Sequence, residues 1–272
     1  MIPEHWSATR ERMIGRCGEQ YRRRYGEGEK LPPGIAMIRG SAVHKANELH
    51  MRAKMDGEPW SLEATKDEAV TAFDQRLREG YVVDGSYAKM GFEPKEAIAH
   101  ARGDVLALSA LHFVRVAPKI EPTAAEVRIE IPASDSLPVP FVSILDVIDR
   151  DESPIDTKTA AKKPSKEDAH DSDQLSGQAL AFRALKKKPE KNLRLDVLVR
   201  TTVKRNEDYV PLVTKRTEED LAGFVGRVRQ SLLVVEGERW LPAPEGSWAC
   251  APLWCGYWPT CPYARGKNRP KS

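Results

Sequence analysis

The chain has 272 residues, of which 40% are hydrophobic and 31% charged, with a formal net charge of +3. That length suits one large domain, or one domain with appendages, and is enough to bury a sizeable core. No apolar run of about 18 residues occurs and the start, MIPEHWSATRERM, is polar, so neither membrane insertion nor secretion is indicated and a cytoplasmic protein is expected. The small net charge does not by itself imply a nucleic-acid partner, but the basic residues are unevenly placed. They gather at Arg22 to Arg24, at Lys158, Lys162, Lys163 and Lys166, at Lys186 to Lys188 with Lys191, and from Arg265 to Lys271. Solvated surface accounts for such clusters in general, and for the last one best.

In chain order, the stretch from Ser7 to about Tyr25 is helix-compatible and carries Cys17 among charged residues. Gly34 and Gly40 bracket a short linker, after which SAVHKANELHMRAKM reads as a helix with His44 and Glu48 one turn apart on one face. Two more helices are predicted, Leu62 to Arg78 and Pro94 to Val116, the second with proline at a permitted first-turn position. From Ala125 the period changes: Val127, Ile129 and Ile131 alternate with Glu126, Arg128 and Glu130, the pattern of a half-exposed strand. The stretch PFVSILDVID is apolar on both alternate faces, as in a central strand covered on both sides, and places Asp146 among buried neighbours. In the following segment, PIDTKT, Asp156 and Lys158 stand at i and i+2 and project from one face if the segment is extended.

Two acids and an ammonium are thus expected to converge. A buried carboxylate is paired by a cation or taken as a metal ligand, and a buried Asp–Lys pair in an ordinary α/β core has the same three-residue pattern. The lysine-rich loop directly after the second acid suits a phosphodiester substrate, with lysines holding the phosphates that flank the reacting one. Downstream, DSDQLSGQALAFRALKK predicts a helix with Leu175, Ala179 and Phe182 on its apolar stripe, flanked by Gln174 and Gln178. A strand, LRLDVLV, continues into a hairpin turning at Arg205 to Asp208. A last helix opens at Thr217 and buries Leu221, Phe224, Val228 and Leu232. The remaining segment, from Trp240, is aperiodic and rich in Pro and Trp, and holds three of the four cysteines as C-x4-C-x5-C. With Cys17 the count reaches four, the number that a tetrahedral zinc site or an iron–sulfur cluster needs, and in a reducing compartment a metal centre is the better reading than disulfides.

Taken in order, these pieces resemble the PD-(D/E)XK nuclease superfamily, specifically the RecB-type branch that includes CRISPR-associated exonucleases with an iron–sulfur cluster. Gly40, His44 and Glu48 resemble the branch's G-x3-H-x3-E helix, Asp146 its first acid, Asp156-Thr157-Lys158 its D/E-x-K, and Gln174 the glutamine of Q-x3-Y. Cys17 with Cys250, Cys255 and Cys261 resembles its cluster ligands. The sequence departs from the branch at Ser143, where glycine is usual, at Gln178, which replaces the tyrosine, and at C-x4-C, where C-x2-C is usual; the last departure leaves zinc as the alternative.

The resemblance implies a mixed α/β fold with a restriction-endonuclease-like αβββαβ core in a single nuclease domain. Residues 1–120 would be mainly helical, residues 121–216 the catalytic sheet, and residues 217–272 a helix with a cysteine-rich metal-binding tail. It implies a divalent-metal-dependent DNA exonuclease acting at ends or single strands in recombination, repair or phage DNA processing, in a bacterial or phage-infected cell. An endonuclease of the same superfamily and a non-catalytic DNA-binding module are the alternatives. Mg2+ or Mn2+ would be held by Asp146, Asp156, the carbonyl of Thr157 and His44, with Lys158 acting on the water or the phosphate and Gln174 on the water or a DNA phosphate. A 4Fe-4S cluster on the cysteines, and a recombination or single-strand-binding protein as partner, complete that expectation.

Overall fold

The computed structural model describes residues 2–201 and 206–264. Its first half is helical: α1 (Ala8–Arg16), α2 (Gly18–Tyr21), α3 (Ile35–Asp56), α4 (Leu62–Arg78), α5 (Gly85–Ala88) and α6 (Pro94–Leu111), the last running on as a short π-helical turn, His112–Val116. Then come β1 (Pro122–Ile131), β2 (Phe141–Asp149), β3 (Pro154–Ala160), α7 (Glu167–His170), α8 (Asp173–Lys186), β4 (Leu193–Val199), β5 (Asp208–Thr214) and α9 (Glu218–Glu236). The expected succession of helix, three strands, helix and strand is therefore present. The strands form one sheet in the order β1-β2-β3-β4-β5, in which only the β3–β4 pair is parallel. A parallel pair needs a crossover, and α7 with α8 supplies it. Among the described residues no helix is long and apolar enough to cross a membrane.

Local signals account for where the helices begin. Ser61 accepts the Ala64 amide at 3.0 Å and Ser172 the Leu175 amide at 3.2 Å. Pro94 opens α6 behind a Glu93–Glu96 capping box, and Thr217 and Asp220 form another before α9. The apolar stripes then decide the layers. α3, α4 and α6 share a core of Ile38, Ala42, Phe73, Ala101 and Val105 above the sheet. Below it, Phe141 of β2 meets Phe224 of α9 edge to face, with centroids 5.8 Å apart, and Leu145 packs with Phe182 of α8. Each of these fully buried rings contributes about 1.5–3 kcal/mol.

Three expectations are corrected. Gly40 does not end a linker but lies inside α3, which starts at Ile35; a Cβ on Gly40 would stand 3.3 Å from Thr159 Oγ1, so glycine permits a close approach of helix to strand there. The first helix is interrupted at Cys17, whose backbone is extended (φ −165°, ψ 109°), because the Gly18 amide turns to donate to the Leu241 carbonyl at 2.6 Å. β2 is not covered on both sides along its length: Ile144, on the same side as Asp146, is 43% exposed. The β4–β5 hairpin is present, with Val199 opposite Asp208, while Arg205 of its expected turn and the basic residues Arg265 to Lys271 lie outside the described residues.

Candidate active site

β2 and β3 pair only next to their turn, at Val147 with Ile155 and Ile148 with Pro154, and separate beyond it. Where the ladder stops, the carboxylate of Asp146 takes over, its Oδ2 accepting the Thr157 amide at 3.0 Å. The gap between the strands thus carries side chains of both. Asp156 is fully buried, and Lys158, two residues on along the same face, places Nζ 2.9 Å from Asp156 Oδ2 and 3.1 Å from Oδ1. Only the contact to Oδ1 has hydrogen-bond geometry, so Oδ2 is ion-paired without being hydrogen-bonded. The lysine side chain keeps 44% exposure and so remains reachable from solvent.

α3 brings the next group. His44, one turn after Gly40, places Nδ1 3.3 Å from Asp146 Oδ2. Glu48 does not pair with His44, as the helix spacing allowed, but with Lys45 and Arg52, each at 3.0 Å. Glu126 completes the cluster and was not foreseen. Its place in the alternation of β1 puts it on the exposed face, yet its φ of +51° reverses the strand locally, between the pairs Ala125–Val147 and Val127–Leu145 that flank Asp146, and its carboxylate comes to lie beside Asp146. Ligand atoms of His44, Glu126 and Asp146 all lie within 4.8 Å of one another. A kink of this kind leaves no mark in a hydrophobic pattern, and neither does strand register.

α8 approaches from the opposite side. Gln178, fully buried, donates from Nε2 to Asp156 Oδ1 at 3.0 Å and to the Ile144 carbonyl at 3.3 Å. Gln174, half-buried one turn earlier, has no such bond, so the residue standing in the tyrosine position is the one that reaches the acid. Gly177 lies beside it, where a Cβ would meet the Phe141 ring at 3.0 Å, which lets α8 settle close to β2.

The electrostatics of the cluster are those of excess negative charge in a recess. Burial first, and then the neighbouring Asp156, push the Asp146 carboxyl up to about 7, against the pull of His44 and Lys158. Burial also raises Glu126, helped by Glu48. For Lys158 burial opposes the charge, but Asp156 and Asp146 outweigh it and hold the ammonium above its ordinary value. Three carboxylates facing one ammonium and one imidazole form a donor set that fits a hard divalent cation, and the oxygen-rich, single-imidazole mixture suits Mg2+ or Mn2+.

The cysteines behave differently. The tail from Gly237 does return to the N-terminal helices. Trp240 stacks on Tyr21 at 5.9 Å, Gln20 donates to Cys255 Sγ at 3.3 Å, Arg23 binds the Thr260 hydroxyl at 2.7 Å and the Tyr257 hydroxyl donates to the Glu29 carbonyl at 2.6 Å. The two ends of the chain therefore meet, as expected, but no disulfide links the cysteines and they are not gathered as a metal site. Thiolates on one zinc ion lie about 2.3 Å from it and so about 3.8 Å from each other, whereas no three cysteines come within 4.8 Å of one another. The zinc alternative does not fit this arrangement, and a cluster is not shown.

Comparison with known proteins bears on the acid site. A crystal structure of a candidate exonuclease from Eubacterium rectale has the same fold (TM-score 0.55, 12% identity), covering 99% of this chain and 90% of the other. The crystal structure of SSO0001 aligns with 66% of this chain and 81% of its own at 18% identity, with a TM-score of 0.37. No curated protein sequence matches the chain. The sequence profile of the PD-(D/E)XK nuclease superfamily matches residues 5–262, nearly the whole chain and every residue of the acid cluster, and the chain belongs to that superfamily.

Proposed function

We propose that the protein is a divalent-metal-dependent exonuclease that hydrolyses phosphodiester bonds at DNA ends, of the RecB-like branch and serving recombination, repair or phage DNA processing. The observation that carries this reading is the meeting of His44, Glu126 and Asp146 beside the buried Asp156–Lys158 pair. Asp146, Asp156, Glu126, His44 and the Thr157 carbonyl would hold the cation, which when bound supplies Lewis acidity and an acidified water. The chain's own groups do the rest. Lys158, kept charged by its two carboxylates yet open to solvent, orients the attacking water or neutralises the phosphate oxygens as charge builds on them. Gln178 and Lys158 both donate to Asp156 Oδ1, which fixes the carboxylate and leaves Oδ2, ion-paired to the lysine but without a hydrogen bond, as the oxygen open to a cation. Gln174, at the start of α8, is left for the water or a flanking DNA phosphate. The lysines at 162, 163 and 166, all exposed just past β3, offer contacts to neighbouring phosphates.

The experiment is digestion of end-labelled linear DNA beside covalently closed circular DNA, with Mg2+, Mn2+ or EDTA. Loss of linear DNA alone, and only with metal, supports the exonuclease; cutting of the circle makes it an endonuclease, and activity in excess EDTA removes the proposed site. The branch reading also brings a four-cysteine iron–sulfur cluster, and what supports that part is the meeting of the chain ends rather than the spacing of the thiols. Iron in anaerobically purified, brown protein would establish the cluster. Colourless, iron-free protein would remove it and leave the nuclease reading intact.

A further inference from the structure

α1 presents two arginines one turn apart, Arg12 and Arg16, about 6 Å along the helix axis. Arg12 is exposed and close enough to Lys158 that its charge works against the ammonium there. Neither arginine has a carboxylate within 4.0 Å among the described residues. Burial lowers the Arg16 pKa, and Arg12 lowers it further, so two like charges stand side by side, one of them half-buried, without a carboxylate of the described residues against them. The Arg16 guanidinium lies 5.5 Å over the Trp248 ring, and Trp248 meets Trp254 edge to face at 5.8 Å. Lys89 lies 4.9 Å over Trp254. The two indoles are 63% and 38% exposed, large apolar surfaces that a folded chain ordinarily covers. Trp254 is nevertheless seated: a Cβ on Gly85 of α5 would stand 3.0 Å from its ring, so that ring lies directly against the α5 backbone, and Trp248 packs on its edge.

Two arginines, two exposed aromatic rings and a lysine, in successive contact from Arg16 through Trp248 and Trp254 to Lys89 and with Arg12 within electrostatic reach of Lys158, match the demands of one polymer. Single-stranded nucleic acid offers unpaired bases to stack and a phosphate for each of them, whereas duplex keeps its bases covered. We propose that Arg12, Arg16, Trp248, Trp254 and Lys89 form a track that holds single-stranded DNA as it enters or leaves the site containing Lys158. Arg12 and Arg16 take successive phosphates, and bases stack on Trp248 and Trp254. The aperiodic tail thereby acquires a use that needs no metal: it carries the stacking surface to α1. The inference rests on the nuclease reading for its direction along the strand, but its binding test stands apart from hydrolysis.

The test is fluorescence anisotropy of a labelled thymidine oligonucleotide with the full chain in EDTA, where cutting is not expected. Trp248→Ala should weaken binding by about 5- to 100-fold, the range that loss of one base–aromatic stack gives. Trp248→Phe, which keeps a ring and controls for folding, should lose far less. An abasic oligonucleotide of equal length, which loses both stacks, should bind the unaltered protein more poorly than the thymidine strand binds Trp248→Ala. Arg12→Gln with Arg16→Gln should lower the slope of log affinity against log salt by about 1.4, since each of the two phosphate contacts on a single strand carries about 0.7. Equal affinity for thymidine and abasic strands, or a Trp248→Ala, Trp254→Ala variant that binds like the unaltered protein, overturns the track; the exposed rings would then serve a protein partner or none. Protein that cuts linear DNA but shows no track effects loses the track and keeps the nuclease. Protein that binds as described but never cuts with Mg2+ or Mn2+ loses the nuclease and keeps the track.

Discussion

The acid cluster and the cysteine tail both read as metal centres in the sequence, and among the described residues only the first brings three donors within 4.8 Å of one another. His44, Asp146, Asp156 and Lys158 come together from a helix and two strands, whereas no three cysteines lie within 4.8 Å of one another although the segments that carry them touch. The difference lies in the carriers. A helix or strand repeats with a fixed period, so once its apolar face is buried every other side chain on it has a determined direction. A segment of turns has no such period. The contacts of Arg23, Tyr257 and Trp240 fix where the tail lies but leave the thiol directions to local turn geometry.

The largest effect that can break this comparison is on catalysis. Asp156→Ala and Lys158→Ala should each lower cleavage of linear DNA by about 1,000-fold or more, because each removes a charge made for the transition state or the cation. Thermal unfolding should stay cooperative in both, and a fully active Asp156→Ala variant would return the pair to an ordinary buried ion pair.

Glu126 sharpens it next. Glu126→Gln keeps the shape and removes the charge that the left-handed kink at φ +51° directs towards His44 and Asp146. The Mn2+ concentration needed for half activity should rise by about 10- to 100-fold, as for loss of a residue that holds or supports a metal ligand. An unchanged metal titration would mean that the kink serves the strand and not the site.

Gly40 tests whether the helix spacing is what delivers His44. With Thr159 Oγ1 only 3.3 Å from the position of an added Cβ, Gly40→Ala should push α3 off β3 at an overpacking cost of about 1–3 kcal/mol and lower activity several-fold. Adding Thr159→Ala removes the opposing atom and should restore most of both. Equal activity of the single and double variants at the original level would remove Gly40 from the account.

The smallest effect is on acid stability. His112 is 1% exposed and its pKa is pushed down to about 3, and that of His50 to about 4, in both cases chiefly by burial. Both sit below the ordinary 6.5, so below that pH the unfolded chain takes up protons that the folded one refuses. The contribution of these two histidines should therefore be full above pH 6.5 and fall as the pH drops from there towards 4, opposite in sign to that of the raised Asp146 carboxyl, so that His112→Leu should make the variant less acid-sensitive than the unaltered protein. Denaturant unfolding at stepped pH measures it; an equal slope in the variant would assign the acid sensitivity elsewhere.

Much of the fold and part of the site were legible beforehand, for reasons visible in single residues. The period-two pattern of β1 and β2 and the 3.6-residue stripes of α8 and α9 are local, and they located the sheet and its crossover. Asp156 and Lys158 were legible because two residues separate them on one strand. Glu126 was not, because a backbone reversal and a strand register brought it inward, and both depend on distant segments. Gln178 rather than Gln174 reaches Asp156 because of how far α8 slides along the sheet, which the packing of Gly177 on Phe141 decides. Gly40 looked like a stop because glycine weakens helices, yet its missing side chain is what brings α3 to β3.

The central claim, that the carboxylates between β2 and β3 are a cation site, is tested most directly by calorimetric titration of the full chain with Mn2+ in the absence of DNA. Binding should be saturable in the unaltered protein, abolished in Asp146→Asn and retained in Lys158→Met, whose ammonium opposes the cation. Equal Mn2+ binding by the unaltered protein and by Asp146→Asn would contradict the account.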